Sequence, residues 1–265
     1  MQPHENYLDS NKRLWNERTK HHLKSEFYDL KSFLNGANSL NQIELELLGD
    51  VKDKTILHLQ CHFGQDSLSL SRMGAKVTGV DFSEEAILAA NNLTSQLVLN
   101  AQFICCDLYD FPNHNAAQFD VVFTSYGTIG WLPDIDKWAA VVANSLKQGG
   151  SFVFVEFHPV VWMFDNQFQE LQYAYFKREP IVEEEGTYTD TESSFSMTSI
   201  GWNHSIDEVL QPLLDNGLQL LSFKEFDYSP YNVFPDMMEV YPKRFQFKTR
   251  KGIIPLVYAL KMVKV

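Results

Sequence analysis

Residues 55–81, TILHLQCHFGQDSLSLSRMGAKVTGVD, constrain the fold more than any other stretch. Thr55-Ile56-Leu57-His58-Leu59 is an apolar run of strand length. Gln60-Cys61-His62-Phe63-Gly64 is a turn, and a helical stretch follows to about Met73. Gly74 stops that helix, and Lys76-Val77-Thr78-Gly79-Val80 is a second strand ending on Asp81. Strand, glycine-bearing turn, helix, strand and acid make a parallel βαβ unit. An acid ending its second strand stands where a nucleotide ribose is held.

The rest of residues 51–158 continues this alternation. Ser83 caps a helix from Glu84 to about Leu97, with Glu84 and Glu85 placed well for its dipole. Gln102–Cys106 is a third strand ending on Asp107, Phe119–Ser125 a fourth and Ser151–Glu156 a fifth. A helix from Asp134 to Leu146 stops at Gly149-Gly150. The strands are nearly uninterrupted apolar runs, as in a sheet covered by helices on both faces. The fold class is therefore α/β, a doubly wound and mostly parallel sheet in one domain spanning 1–265.

The flanks read differently. In residues 1–50, Asn11 to Phe33 reads as an amphipathic helix, a helical lid with Trp15, Arg18 and Tyr28 as inward candidates. Ser39 with Gln42 predicts an N-cap for a helix ending at Gly49. Residues 159–203 break the rhythm, with antiparallel strands expected near 172–182, 186–191 and 194–202 as a small cap. In 204–265, Ser205 is expected to cap a helix to Asn216, and Leu218–Asp227 and Pro255–Val263 are strands. The proline-rich loop 228–252 between them has the length of a functional segment.

Composition narrows the function. A net charge of −12 repels phosphate backbones, so no nucleic acid is expected as a partner. Lys243, Arg244, Lys248, Arg250 and Lys251 form the local basic cluster that an RNA-modifying alternative would use. Cys61, Cys105 and Cys106 lack metal-ligand spacing and read as reduced core thiols. No membrane-spanning apolar run occurs, so a cytoplasmic chain is expected. His21-His22 has no partner at ligand spacing, so no metal is expected. An aromatic content of 14% leaves rings to spare for a pocket.

There is neither a GxGxxG motif nor a Walker lysine, which counts against NAD and ATP. Asp81 suits the two hydroxyls of a ribose, Phe82 the face of a purine, and Asp107 its exocyclic amine. Two acids favour a nucleoside carrying positive charge over a polyphosphate.

The order and spacing of these segments resemble class I S-adenosylmethionine-dependent methyltransferases. Ile56-Leu57-His58-Leu59-Gln60-Cys61-His62-Phe63-Gly64 stands in the place of that family's V-L-D-L-G-C-G-x-G. Val80-Asp81-Phe82-Ser83 matches its V-D-x-S, and Cys106-Asp107 the acid after strand three. Phe119-Asp120-Val121-Val122 matches F-D-x-V, and Leu146-Lys147-Gln148-Gly149-Gly150 matches L-K-P-G-G. The resemblance covers about 51–158 and implies a seven-stranded sheet whose last strand is antiparallel.

It further implies S-adenosylmethionine as cofactor, S-adenosylhomocysteine as product and a small-molecule acceptor with an oxygen or nitrogen nucleophile, in a monomer or homodimer. The implied cofactor contacts are Trp15, Arg18, His58, Gln60, Cys61, Gly64, Asp81, Phe82, Ser83, Asp107, Leu108, Ser125 and Tyr126. Tyr126 and His158 are the catalytic candidates. A non-catalytic cofactor-binding regulator and a nucleotide-dependent oxidoreductase are the competing classes. One departure stands out: Gln60 and His62 replace glycines, and His58 replaces the acid that orders the methionine amino group.

Overall fold

The computed structural model describes residues 6–189 and 195–265. Helices α1 (Tyr7–His22), α2 (Leu30–Leu34) and α3 (Gln42–Leu48) precede the sheet. The alternating unit runs β1 (Thr55–Leu59), α4 (Gln65–Arg72), β2 (Lys76–Asp81), α5 (Glu84–Leu97), β3 (Ala101–Cys105), α6 (Phe111–His114), β4 (Phe119–Ser125), α7 (Ile135–Ser145) and β5 (Leu146–Phe157). The chain then forms a hairpin of β6 (Ile181–Glu185) and β7 (Met197–Gly201). Helix α8 (Ile206–Asp215), β8 (Leu218–Phe226), a second hairpin of β9 (Met237–Tyr241) and β10 (Arg244–Phe247), and β11 (Val257–Lys264) complete it.

Seven strands form the main sheet in the order β3-β2-β1-β4-β5-β11-β8. Strands β1 to β5 pair in parallel, and β11 is antiparallel to both β5 and β8. The order reverses between β1 and β4, where an open α/β sheet binds ligands outside its carboxyl ends.

Alternate side chains of each strand serve opposite faces. Leu57 and Leu59 join Val122, Phe152, Phe154 and Trp138 in the core beneath α7 and α8. Ile56 joins Val121, Phe123 and Val153 beneath α3. Burying one such leucine contributes roughly 2 kcal/mol, so these strands set the register of the cleft above them. His58 points to the same side as Ile56, and its Nδ1 meets Ser67 Oγ of α4 at 2.8 Å.

Several sequence expectations change. The N-terminal helix stops at His22, and residues 23–29 turn before α2. Ser25 Oγ donates to His22 O, and Asp29, at φ 35°, accepts from Ser32 N, so local caps override the apolar periodicity. Asn41, not Ser39, is the N-cap of α3; Ser205 is the N-cap of α8 as expected, though its Oγ donates to Asp207 and not to the helix backbone. The loop 228–252 contains the β9–β10 hairpin, turned at Pro242-Lys243. Residues 172–180 form no strand, and part of 186–191 lies outside the described residues. Of the three cysteines only Cys61 is buried.

Candidate active site

The β1–α4 loop keeps the backbone of a glycine-rich turn without its glycines. Gln60, His62 and Gly64 have φ of 53°, 51° and 80°. Left-handed backbone costs a non-glycine residue about 1–2 kcal/mol, so two residues here are held against their preference. Cys61 N donates to Val80 O at 2.9 Å, and His62 N to Asp81 Oδ2 at 2.8 Å. Gln60 Nε2 donates to Thr128 O at 2.8 Å. The His62 ring lies 4.4 Å from Phe63 and 5.4 Å from Trp15, centroid to centroid, and its Nε2 is 3.2 Å from His22 Nδ1. Gly64 has no such latitude, because a Cβ there would stand 2.7 Å from the Phe103 ring.

Asp81 is buried. Oδ2 accepts from His62 N, and Oδ1 from Ser83 N at 2.9 Å. Burial lifts its carboxyl to about 6 against these backbone donors. Phe82 lies beside it on the cavity wall. Ser83 is spent on structure: Oγ accepts from Ala86 N and donates to Asn16 of α1, and the residue does not line the cavity. Asp107 and Leu108 line a small side cleft of about 30 Å³ with Tyr7, Leu8, Asn11 and Trp131. Asp107 Oδ1 accepts from Tyr109 N, and burial pushes its carboxyl up.

The main cavity measures about 1040 Å³ and runs from the β1–α4 loop to the C-terminal loops. This is the upper end of what a drug-sized ligand occupies, about 300–1,000 Å³. Trp15, Arg18, His58, Gln60, Cys61 and Gly64 line it, as do Ser125 and Tyr126. Trp131, Trp162 and Tyr188 also face it.

Arg18 is bound within the protein. Its Nη2 pairs with Glu185 at 2.6 Å and its Nε donates to Gly186 O, tying α1 to the end of β6. Burial pushes His58 down to about 3, so it is neutral and cannot replace an acid electrostatically. Three buried polar atoms of cavity-lining residues, Gln60 Oε1, Trp15 Nε1 and Tyr126 Oη, have no hydrogen-bond partner.

Tyr126, at φ 39°, follows β4, and its N donates to Val155 O. Its ring meets Tyr231 edge-on at 5.1 Å. Its Oη comes near the Glu44 carboxyl without completing a hydrogen bond. His158, the other catalytic candidate, does not line the cavity. Val160 N donates to its Nδ1 at 3.2 Å, which leaves the proton on Nε2 facing Glu225 Oε1 at 3.0 Å. A histidine with both ring nitrogens engaged is not placed to take a proton from a ligand. His204 is likewise structural, with Nε2 bonded to Leu132 O.

Glu156, one residue before the end of β5, holds the loop after β4. Its carboxylate accepts from the backbone N–H groups of Gly127, Thr128, Ile129 and Phe157 and from Thr128 Oγ1. The sequence singled out neither this role nor the buried Glu44 and Asn41 nor the half-buried Asp66. Glu44 carried one readable signal: with Leu47 and Leu48 it falls on the buried side of α3. Among the described residues no cluster of three metal-ligating side chains occurs.

Residues 56–150 match the methyltransferase-domain family. The ubiquinone biosynthesis O-methyltransferase of Pseudoalteromonas translucida is 28% identical over 136 residues, 50% of this chain and 57% of that protein. The chain thus spans about half the length of the curated relatives it matches. A putative S-adenosylmethionine-dependent methyltransferase from Listeria monocytogenes superposes with a TM-score of 0.58 at 20% identity, covering 83% of this chain and 95% of the other. An S-adenosylmethionine-dependent methyltransferase from Mesorhizobium loti gives 0.57 at 18%, covering 87% and 99%. With the strand order, these findings give the chain the fold of class I S-adenosylmethionine-dependent methyltransferases, with residues 56–150 similar to the methyltransferase-domain family.

Proposed function

We propose that the chain catalyses methyl transfer from S-adenosylmethionine to a small-molecule acceptor in the main cavity. The observation that carries this reading is the left-handed Gln60–His62–Gly64 turn delivering His62 N to Asp81, with a cavity of about 1040 Å³ opening beside it. Bound there, the cofactor supplies a methyl group already activated on a sulfonium, so the protein needs chiefly to bind, orient and exclude water.

The residues fit that cofactor. Asp81 is placed for ribose hydroxyls and Asp107 for an adenine amine. Gln60 Oε1 and Trp15 Nε1, two of the orphaned polar atoms, suit the ammonium and the carboxylate of its amino-acid end. Gln60 thereby takes over what the family's acid does, by hydrogen bonding instead of charge. The cleft at Asp107 is too small for a purine while Tyr7, Leu8 and Asn11 close it, so cofactor entry requires the first turns of α1 to move outward. Tyr126 is retained as the residue that meets the acceptor, and His158 is assigned a structural role.

The acidic balance supports a diffusible small acceptor over RNA. No described helix is long and apolar enough to cross a membrane. We place the chain in the cytoplasm, as a monomer or homodimer. Calorimetry with S-adenosylhomocysteine tests the reading: micromolar binding that Asp81→Ala weakens by about tenfold or more is expected. No binding to the wild-type chain refutes it, and transfer of labelled methyl to an acceptor panel completes the test.

A further inference from the structure

The cavity continues past the cofactor loop to a second acidic wall. Asp66, in the first turn of α4, Asn41 of α3, Tyr126 and Tyr231 line it, with Glu44 directly behind. Helix α3 packs on β5 and β11. This wall therefore stands on the β5 side of the cleft, while Asp81 ends β2 and Asp107 follows β3.

Glu44 is fully buried at 0% exposure, yet only one of its carboxyl oxygens is satisfied. Asn41 Nδ2 donates to Oε1 at 3.1 Å and to Tyr231 Oη at 2.8 Å. Oε2 has no partner, and neither has the neighbouring Tyr126 Oη. Burial and the Asp66 charge push Glu44 up to about 7, and burial pushes Asp66 up as well. Among the described residues, the cation set against this wall is Lys243 in the β9–β10 turn. It is exposed, and its Nζ reaches Asn41 Oδ1 at 3.5 Å, not the Glu44 carboxyl. A fully buried carboxyl with a bare oxygen, beside the half-buried Asp66, is costly alone and favourable beside a cation. Tyrosine faces add to that preference.

We propose that Glu44, Asp66 and Tyr126 form a subsite for a protonated amine on the acceptor. The proposal rests on the methyl-transfer reading and names the acceptor class. The cofactor carries an ammonium too, which the methyl-transfer reading assigns to Gln60 Oε1 on the loop after β1. The amine site instead sits on α3 and α4 at the end of the cavity shared with Tyr126 and the C-terminal loop.

Benzylamine, benzyl alcohol and benzoate present one ring with positive, neutral and negative heads, and Trp15, Trp131 and Trp162 on the wall report their binding by fluorescence. With S-adenosylhomocysteine saturating, the full chain is expected to prefer benzylamine over benzyl alcohol by about tenfold or more, with benzoate weakest. Glu44→Gln and Asp66→Asn should each cut that preference by roughly tenfold while changing S-adenosylhomocysteine affinity less than about twofold. Lys243→Ala, which removes a competing charge, should leave or strengthen benzylamine binding. Three results overturn the subsite: equal affinity for the three probes, no benzylamine binding up to roughly 10 mM, or a parallel loss of S-adenosylhomocysteine affinity in Glu44→Gln. The last would assign the acids to the cofactor's own ammonium. If the wild-type chain does not bind S-adenosylhomocysteine, the methyl-transfer reading fails, and the probe preference measured without it still decides the subsite.

Discussion

Glu156→Gln isolates what holds the loop after β4. Glu156 is 2% exposed, and each oxygen faces only donors. Oε1 takes Gly127 N and Phe157 N; Oε2 takes Thr128 N, Thr128 Oγ1 and Ile129 N. A glutamine keeps the shape but turns one oxygen into an NH₂ group. Whichever way the amide flips, that group points at donors. Either flip strands two backbone N–H groups, since the Thr128 hydroxyl can turn to accept, at about 1–3 kcal/mol each. The expected destabilisation is roughly 4 kcal/mol, or a Tm about 8–16 °C lower for a chain of this size. Thr128 O receives Gln60 Nε2, and Gly127 O receives Trp131 Nε1, so the same change loosens the cofactor loop and the cavity wall. S-Adenosylhomocysteine affinity should fall with it. Thermal unfolding followed by circular dichroism, with calorimetry on the folded variant, reads both effects. Thr128→Val removes one donor and spares the carboxylate, so it should cost about 1 kcal/mol. A Tm for Glu156→Gln within about 2 °C of wild type would show that the loop does not depend on this carboxylate.

Asp81 is lifted to about 6 by burial, so its ionisation opposes folding: its contribution is most favourable below about pH 4 and is lost as pH rises through 6. A ribose bonded to the carboxylate reverses that preference, so S-adenosylhomocysteine affinity should rise from about pH 5 to 7 and then level, with Asp81→Asn flattening the profile; a flat wild-type profile would rule out this role. Glu44, raised to about 7, loses its favourable contribution as pH rises from about 4.5 through 7, a difference of about 3 kcal/mol. Glu44→Gln should therefore raise Tm at pH 8 and change it little at pH 5, and the opposite pH order in melting curves would contradict the assignment. Gly79→Ala places a Cβ 2.6 Å from the Phe103 ring and 2.8 Å from Cys61 Sγ. A loss of roughly 1–3 kcal/mol in denaturant unfolding is expected, and an unchanged midpoint would refute the close contact.

The strands were legible because burial on both faces leaves an unbroken apolar run such as Phe119–Ser125 or Ser151–Glu156, bounded by polar turns. The β9–β10 hairpin was not. Met237–Tyr241 has four exposed residues in five, so no alternation marks it, and three prolines nearby argue for loop. The break after His22 was hidden for a related reason. Leu23, Phe27 and Leu30 continue the helical spacing, but Ser25 and Asp29 bond to nearby backbone and turn the chain. A periodic pattern reports which side chains are apolar, and it is silent on a cap that competes for the same backbone.

The cofactor turn shows the opposite limit. Gln60 and His62 read as a lost glycine motif, since glycine is the usual residue at φ near +50°. The backbone nevertheless takes that conformation at both positions. Cys61 N to Val80 O and His62 N to Asp81 anchor the turn to the end of β2, Gln60 Nε2 to Thr128 O anchors it to the loop after β4, and together they over-determine it. The side chains that replaced hydrogen then become available to a ligand. Gln60 contributes an unpaired carbonyl oxygen, and His62 a neutral ring packed against Trp15. Gly64 could not be exchanged in this way, because Phe103 and Ala90 already fill the space a Cβ would need. Packing against the next helix and strand therefore decides which glycine of the turn must stay. The two free of that packing are the ones this chain has converted into side chains lining the cavity.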